Sequence, residues 1–145
     1  MIIREMKKED INEALEIWKK AFNAGYSSSF DTYEVIERYL DRNSGFSTVA
    51  VEDDKSSKFY NQIVGALLCG HDGRRGSIYH TAVIPEMRGK QIGKKMQERA
   101  TNELAKVGIH SGFLFVNVNN HGSREFWESV GWKVIEDIKY LYKEF

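Results

Sequence analysis

The sequence predicts an α/β (α+β) domain, with a mixed central sheet of about six to seven strands flanked by about four helices. Three observations predict it. Short β-branched runs alternate with longer stretches whose apolar residues recur every three or four positions. Glycines or an Asp-Gly pair separate most of them, and the order reads strand, two helices, three strands, helix, strand, helix, two strands.

Ile2 and Ile3 open a short apolar strand, and Asp10 is placed to cap a helix whose apolar positions are Ile11, Leu15, Trp18 and Phe22, with Gly25 as its stop. Ser27 to Ser29 lead to a second helical stretch with Tyr33, Ile36, Tyr39 and Leu40 on one face. Thr48 to Glu52 and Ile63 to Cys69 read as strands joined by a long polar connection. The run His71-Asp72-Gly73-Arg74-Arg75-Gly76 sets Asp-Gly between two apolar runs, the signal of a hairpin whose next strand is Ser77 to Ile84, closed by the only proline, Pro85. Ile92, Met96, Ala100, Leu104 and Val107 form one helical stripe ending at Gly108. Phe113 to Val118 reads as a buried strand, Ser123 to Val130 as a short helix stopped by Gly131, and Trp132 to Phe145 as two final strands.

A chain of 145 residues is about one domain in size, and no linker, repeat or low-complexity tract divides residues 1–145. Lys plus Arg (21) cancels Asp plus Glu (21), so no overall field favours nucleic acid or anionic lipid, and any anion site must be local. A single cysteine, Cys69, cannot form an intramolecular disulfide, and the charged N-terminus lacks a signal-peptide pattern. No stretch approaches ~18 consecutive apolar residues. These features lead us to expect a cytoplasmic protein, with neither nucleic acid nor membrane as a partner.

The segment from Thr81 to Lys95 carries the chemistry. A strand, a glycine-containing loop and a helix N-terminus make an anion site, because unpaired N–H groups of the first helical turn point outward, the helix dipole adds positive potential, and glycine lets phosphate oxygens approach. Arg88, Lys90, Lys94 and Lys95 concentrate positive charge there, so a diphosphate is the natural occupant. The blander reading is a solvated basic face. The spacing from Gly89 to Gly93 excludes a nucleotide-triphosphate loop, and Gly70, Gly73 and Gly76 miss the dinucleotide fingerprint.

Ala82-Val83-Ile84-Pro85-Glu86-Met87-Arg88-Gly89-Lys90-Gln91-Ile92-Gly93 resembles the signature of the GNAT superfamily of N-acetyltransferases, with Gln91 standing at the first motif glycine. Downstream, Asn119-Asn120-His121-Gly122-Ser123-Arg124-Glu125-Phe126-Trp127-Glu128-Ser129-Val130-Gly131-Trp132 is similar to the family's second ordered motif. The Arg4 to Trp18 stretch resembles its opening strand and helix, so the resemblance spans essentially the whole chain.

The resemblance implies a mostly antiparallel sheet, acetyl-CoA as co-substrate, and direct attack of an amine on the thioester in a ternary complex. It implies that backbone groups of Thr81, Ala82 and Val83 hold the pantetheine arm, that the Val83 N–H serves the oxyanion, and that Arg88, Gly89, Lys90, Gln91, Ile92, Gly93 and Lys94 take the diphosphate. Asn120 would contact the cofactor arm. Trp127 stands where many members carry a tyrosine that protonates the departing thiolate, and its indole is a donor only. Plain core packing is the competing reading of Trp127.

Two candidates for the general base, His80 and Glu52, come from the residues themselves, and a strand histidine is more often a hydrogen-bonded core residue. Cys69 reads as a buried strand thiol, and no His, Cys or acidic spacing indicates a metal. The resemblance implies an acceptor amine on a small molecule or a protein, and a pocket built largely from about Ser27 to Phe46, which holds Phe30, Asp31, Tyr33 and Glu34, with Tyr26 just before it. A homodimer is a candidate assembly. Two other classes stay open: an acetyl-CoA-binding sensor or interaction domain that has lost catalysis, and a nucleic-acid module using the Arg88 to Lys95 patch.

Overall fold

A computed structural model describes residues 1–22 and 29–145. It divides into two compact units, Met1–Leu114 and Phe115–Phe145. The first holds β1 (Ile2–Glu5), α1 (Ile11–Phe22), α2 (Tyr33–Arg42), β2 (Thr48–Val51), β3 (Ile63–His71), β4 (Gly76–Val83), α3 (Ile92–Lys106) and β5 (Gly112–Phe113). The second holds α4 (His121–Ser129).

The five strands lie side by side in sequence order, antiparallel except for the parallel β4–β5 pair. The Asp-Gly hairpin forms as the sequence indicates. Asp72 Oδ1 accepts the Arg74 and Arg75 N–H groups at 2.9 and 3.0 Å, and Gly73 takes a left-handed φ of 92°. Antiparallel pairing from His71 with Gly76 onward makes β3–β4 the longest ladder in the sheet.

Successive residues of a strand face opposite sides, so β3 divides the molecule's two cores. Val49, Ala66, Leu68 and Ala82 join Ile11, Ala14, Trp18, Ile36 and Leu40 in one buried cluster beneath α1 and α2. Trp18 is fully buried there, and its indole N–H donates to the Ala66 carbonyl at 3.4 Å. Truncating such a side chain to alanine costs about 3–5 kcal/mol. On the other face α3 packs so closely that a Cβ on Gly65 would lie 3.0 Å from Met96 Cε, and one on Gly76 would lie 2.6 Å from Leu104 Cδ1. At both positions the absence of a side chain lets α3 pack directly over the β3–β4 hairpin.

Local signals set the helix ends. Asp10 takes a bidentate pair from Arg4 at 2.7 and 3.0 Å and also accepts the Lys7 N–H, which fixes the turn entering α1. Thr32 caps α2 by accepting the Val35 N–H. Gly108 and Gly131, with φ of 84° and 101°, follow α3 and α4 as expected of C-terminal stops. The proposed stop at Gly25, with Tyr26, Ser27 and Ser28, lies outside the described residues.

Among the described residues the sheet has five strands, fewer than the six to seven expected. Phe113 to Val118 contributes only Gly112–Phe113 to the ladder, and Phe115 and Val118 are exposed. Trp132 to Phe145 forms no strand; Val134, Ile135, Ile138 and Leu141 are exposed. The physical reason is that β-branched and aromatic composition measures fitness for a pleated, half-buried surface, and a strand exists only where a neighbour's edge completes it.

Cys69 is fully buried on β3, and burial pushes its thiol up to about 12, slightly opposed by Arg99. An unfolded thiol ionises near about pH 8.5. The folded pKa is therefore the higher one, so the contribution is fully present below about pH 8.5 and is lost as the pH rises toward the folded value. Burial raises the Tyr39 hydroxyl in the same direction. Denaturant unfolding at neutral pH and at roughly pH 10 should show a stability loss that Cys69→Ala makes shallower. An unchanged slope in that variant would mean that Cys69 is not sealed from water.

Candidate functional site

The site forms where β4 leaves the sheet. β5 pairs only Gly76 and Ser77, so from Ile78 onward the outer edge of β4 has no strand partner among the described residues. On the inner edge Ile84 donates to the Val64 carbonyl at 2.9 Å. Antiparallel ladders alternate, which turns the N–H and C=O of Val83 toward the open edge. Arg88 Nε reaches back and donates to that carbonyl at 3.2 Å. Nearby, Thr81 Oγ1 is buried with no hydrogen-bond partner among the described residues.

After Val83 the chain turns through a single 3-10 turn, Pro85–Met87, into Arg88, Gly89, Lys90 and Gln91. Gly89 and Gln91 have left-handed φ values of 78° and 67°. Gln91 is the N-cap of α3 and supplies no side-chain cap. The first helical bond is Lys95 N–H to Gln91 O at 3.1 Å, which leaves the N–H groups of Ile92, Gly93 and Lys94 pointing out of the helix end. Arg88, Lys90 and Lys94 are exposed around this turn. Among the described residues Lys94 has only a 4.0 Å pair with Glu98, and Lys90 Nζ lies 3.8 Å from the Met87 sulfur. Uncapped N–H groups, a left-handed turn and weakly engaged cations together make an anion cradle. A diphosphate joined to an extended arm fits, because the arm has an open strand edge to lie along.

The left-handed φ at Gln91 explains why a glycine suits this position. Strain of this kind costs a residue with a Cβ roughly 1–2 kcal/mol. The side chain is exposed, so the departure from the motif burdens the backbone rather than blocking the cradle.

His80 also has a left-handed φ, 55°. Here β4 carries an extra residue: Ala66 faces Ala82, but Leu68 faces Tyr79. The bulge turns His80 to the same side as Tyr79, the α1 face, where its ring lies 5.5 Å from Trp18 and 5.4 Å from Phe22. Its Nε2 is 2.8 Å from Asp31 Oδ1, on a carboxylate side chain only 2% exposed. The sequence singled out His80 but not its pairing with Asp31, which is remote in sequence and precedes α2 without any periodic signal. Glu52, the other candidate base, is buried and accepts the Asp54 N–H at 3.1 Å.

Asn120 and Trp127 belong to the second unit. Asn120 Oδ1 caps α4 by accepting the Ser123 N–H at 3.0 Å, leaving its amide nitrogen for any ligand. Trp127 is buried edge-on between Phe126 and Trp132, at 5.0 and 5.6 Å. That aromatic packing accounts for it as a core residue of this unit. Cys69, buried with its thiol held neutral, is no nucleophile.

An open strand edge that ends in a glycine-bearing turn and an uncapped helix N-terminus offers backbone donors to an extended, anionic ligand. The Acetyltransferase (GNAT) family profile matches residues 11–132, and the chain belongs to that family of N-acetyltransferases. An acetyltransferase of Photorhabdus laumondii subsp. laumondii is 30% identical over 122 residues, 83% of this chain and 78% of the relative. Among solved structures, Ard1 from Thermoplasma volcanium superposes with a TM-score of 0.77 at 17% identity, over 92% of this chain and 83% of that one. The PaiA N-acetyltransferase from Thermoplasma acidophilum, in complex with coenzyme A, gives 0.76 at 20% identity, over 94% and 92%.

Replacing Gln91 tests the left-handed turn. Gln91→Gly should unfold at equal or slightly higher denaturant, by less than about 1 kcal/mol, since relief of strain is offset by the entropy of glycine. Gln91→Val should lose more than Gln91→Ala, because a β-branched residue tolerates positive φ least. Equal stability of the Val and Gly variants would place Gln91 outside the left-handed region.

Proposed function

We propose that this protein transfers the acetyl group of acetyl-CoA to a primary amine of a small molecule or protein, by direct attack in a ternary complex. The observation that carries the reading is the uncapped N-terminus of α3 set at the end of the open β4 edge by the left-handed turn at Gly89 and Gln91. The N–H groups of Ile92, Gly93 and Lys94, with Arg88, Lys90 and Lys94, take the diphosphate, and the edge from Thr81 through Ala82 to Val83 takes the pantetheine arm. The outward N–H of Val83 donates to the thioester oxygen as charge develops on it, an effect worth roughly 3–4 kcal/mol for one well-placed donor.

His80 is the acceptor-side base. The thiol of the leaving group has a pKa near 8.5, so it departs as a thiolate with hydrogen-bond support and needs no tyrosine at position 127. The family match runs through both compact units, which supports reading residues 1–145 as one functional domain. Among the described residues no helix is long and apolar enough to cross a membrane, and a cytoplasmic site of action fits the lone buried thiol.

Calorimetric titration of acetyl-CoA into the wild type and Arg88→Glu, with thiol release on a mixed amine panel, tests the reading. The expected result is binding weakened about tenfold or more by the charge reversal, and thiol release by the wild type. Binding without release on any amine would favour an acetyl-CoA sensor, and no binding would overturn the proposal.

A further inference from the structure

The geometry points to Asp31 as the positioning residue that fixes the tautomer of His80, leaving Nδ1 as the proton acceptor for the incoming amine. This rests on the acetyl-transfer reading above. An ionised carboxylate only accepts hydrogen bonds, so at 2.8 Å from Asp31 Oδ1 the Nε2 atom carries the proton. The other nitrogen then holds the free lone pair, and Nδ1 makes no hydrogen bond among the described residues.

Three features separate this pair from a structural histidine. The carboxylate is 2% exposed while the imidazole side chain keeps 17% of its surface open, so the anchor is sealed and the ring is not. Trp18 and Phe22 pack against the ring at 5.5 and 5.4 Å and hold its orientation. The backbone at His80 is left-handed, a conformation that strains a β-carbon-bearing residue and persists only where surrounding structure imposes it. The bulge responsible brings the ring to the α1 side of the strand whose Val83 N–H faces the open edge.

The step balances as follows. An alkylammonium acceptor gives one proton to His80 Nδ1, forming an imidazolium held by the Asp31 carboxylate. The amine nitrogen then bonds to the thioester carbon, the C–S bond breaks, and its electron pair leaves on the thiolate. The remaining excess proton on nitrogen passes to that thiolate. His80 returns its proton to water.

Asp31→Asn is nearly isosteric, but its amide can donate to Nε2, which moves the ring proton to Nδ1 and removes the lone pair from the amine side. Long-range proton–nitrogen NMR, with the His80 signals assigned by their loss in His80→Asn, should show an Nε2–H ring in the wild type and an Nδ1–H ring in Asp31→Asn. Asparagine at 80 tolerates positive φ, so that variant keeps the bulge. Thiol-release kinetics should show kcat lowered about 100-fold in both variants, with the acetyl-CoA Kd unchanged. A wild-type ring protonated on Nδ1, an unaltered tautomer in Asp31→Asn, or wild-type kcat in that variant would overturn the role of Asp31. If the wild type releases no thiol with any amine, the acetyl-transfer reading falls, and the NMR result still decides whether Asp31 sets the tautomer.

Discussion

The close approach of α3 to the β3–β4 hairpin is the constraint on which the rest depends. At Gly65 and Gly76 the missing Cβ lets Met96 and Leu104 lie directly against the strand backbone. Met96 and Leu104 lie on one face of α3, so their packing over the hairpin seats the helix with its uncapped first turn near the end of β4. Hydrophobic burial holds α3 on the sheet, and these two glycines set how near it comes. Arg99 adds a polar tie, with its guanidinium on Thr48 Oγ1 at 2.9 Å and the Gly45 carbonyl at 3.1 Å.

The edge of β4 and its face under α1 offer different groups. Its edge and C-terminal end concern backbone groups: the outward N–H of Val83, the carbonyl engaged by Arg88, and the helix N–H groups beyond the turn. The face under α1 concerns side chains, with His80 set among Trp18, Phe22 and the buried Asp31. Backbone donors on the edge do not depend on side-chain identity, whereas the groups on the α1 face do.

Local signals in the sequence were legible. The apolar stripe from Ile92 to Leu104, the Asp-Gly hairpin, the glycine stops at 108 and 131 and the basic turn from Arg88 to Lys94 each rest on neighbours within a few residues. What was missed depends on contacts across the fold. Nothing near Asp31 announces a histidine 49 positions away. The bulge at His80 has no glycine to mark it, and the strand pattern there looks unbroken. The run from Trp132 to Phe145 has strand composition and no ladder, since composition does not supply a neighbouring edge. Trp127 was read two ways from sequence, and its packing against Phe126 and Trp132 accounts for one of them.

The bulge also changes how relatives of this chain should be compared. A strand has a phase, and one extra residue shifts that phase for every position beyond it. A relative lacking the extra residue would align a histidine in the same column as His80, yet direct it to the α3 side, away from Asp31. Shared identity at that column therefore carries information about chemistry only when the left-handed backbone is inherited with it.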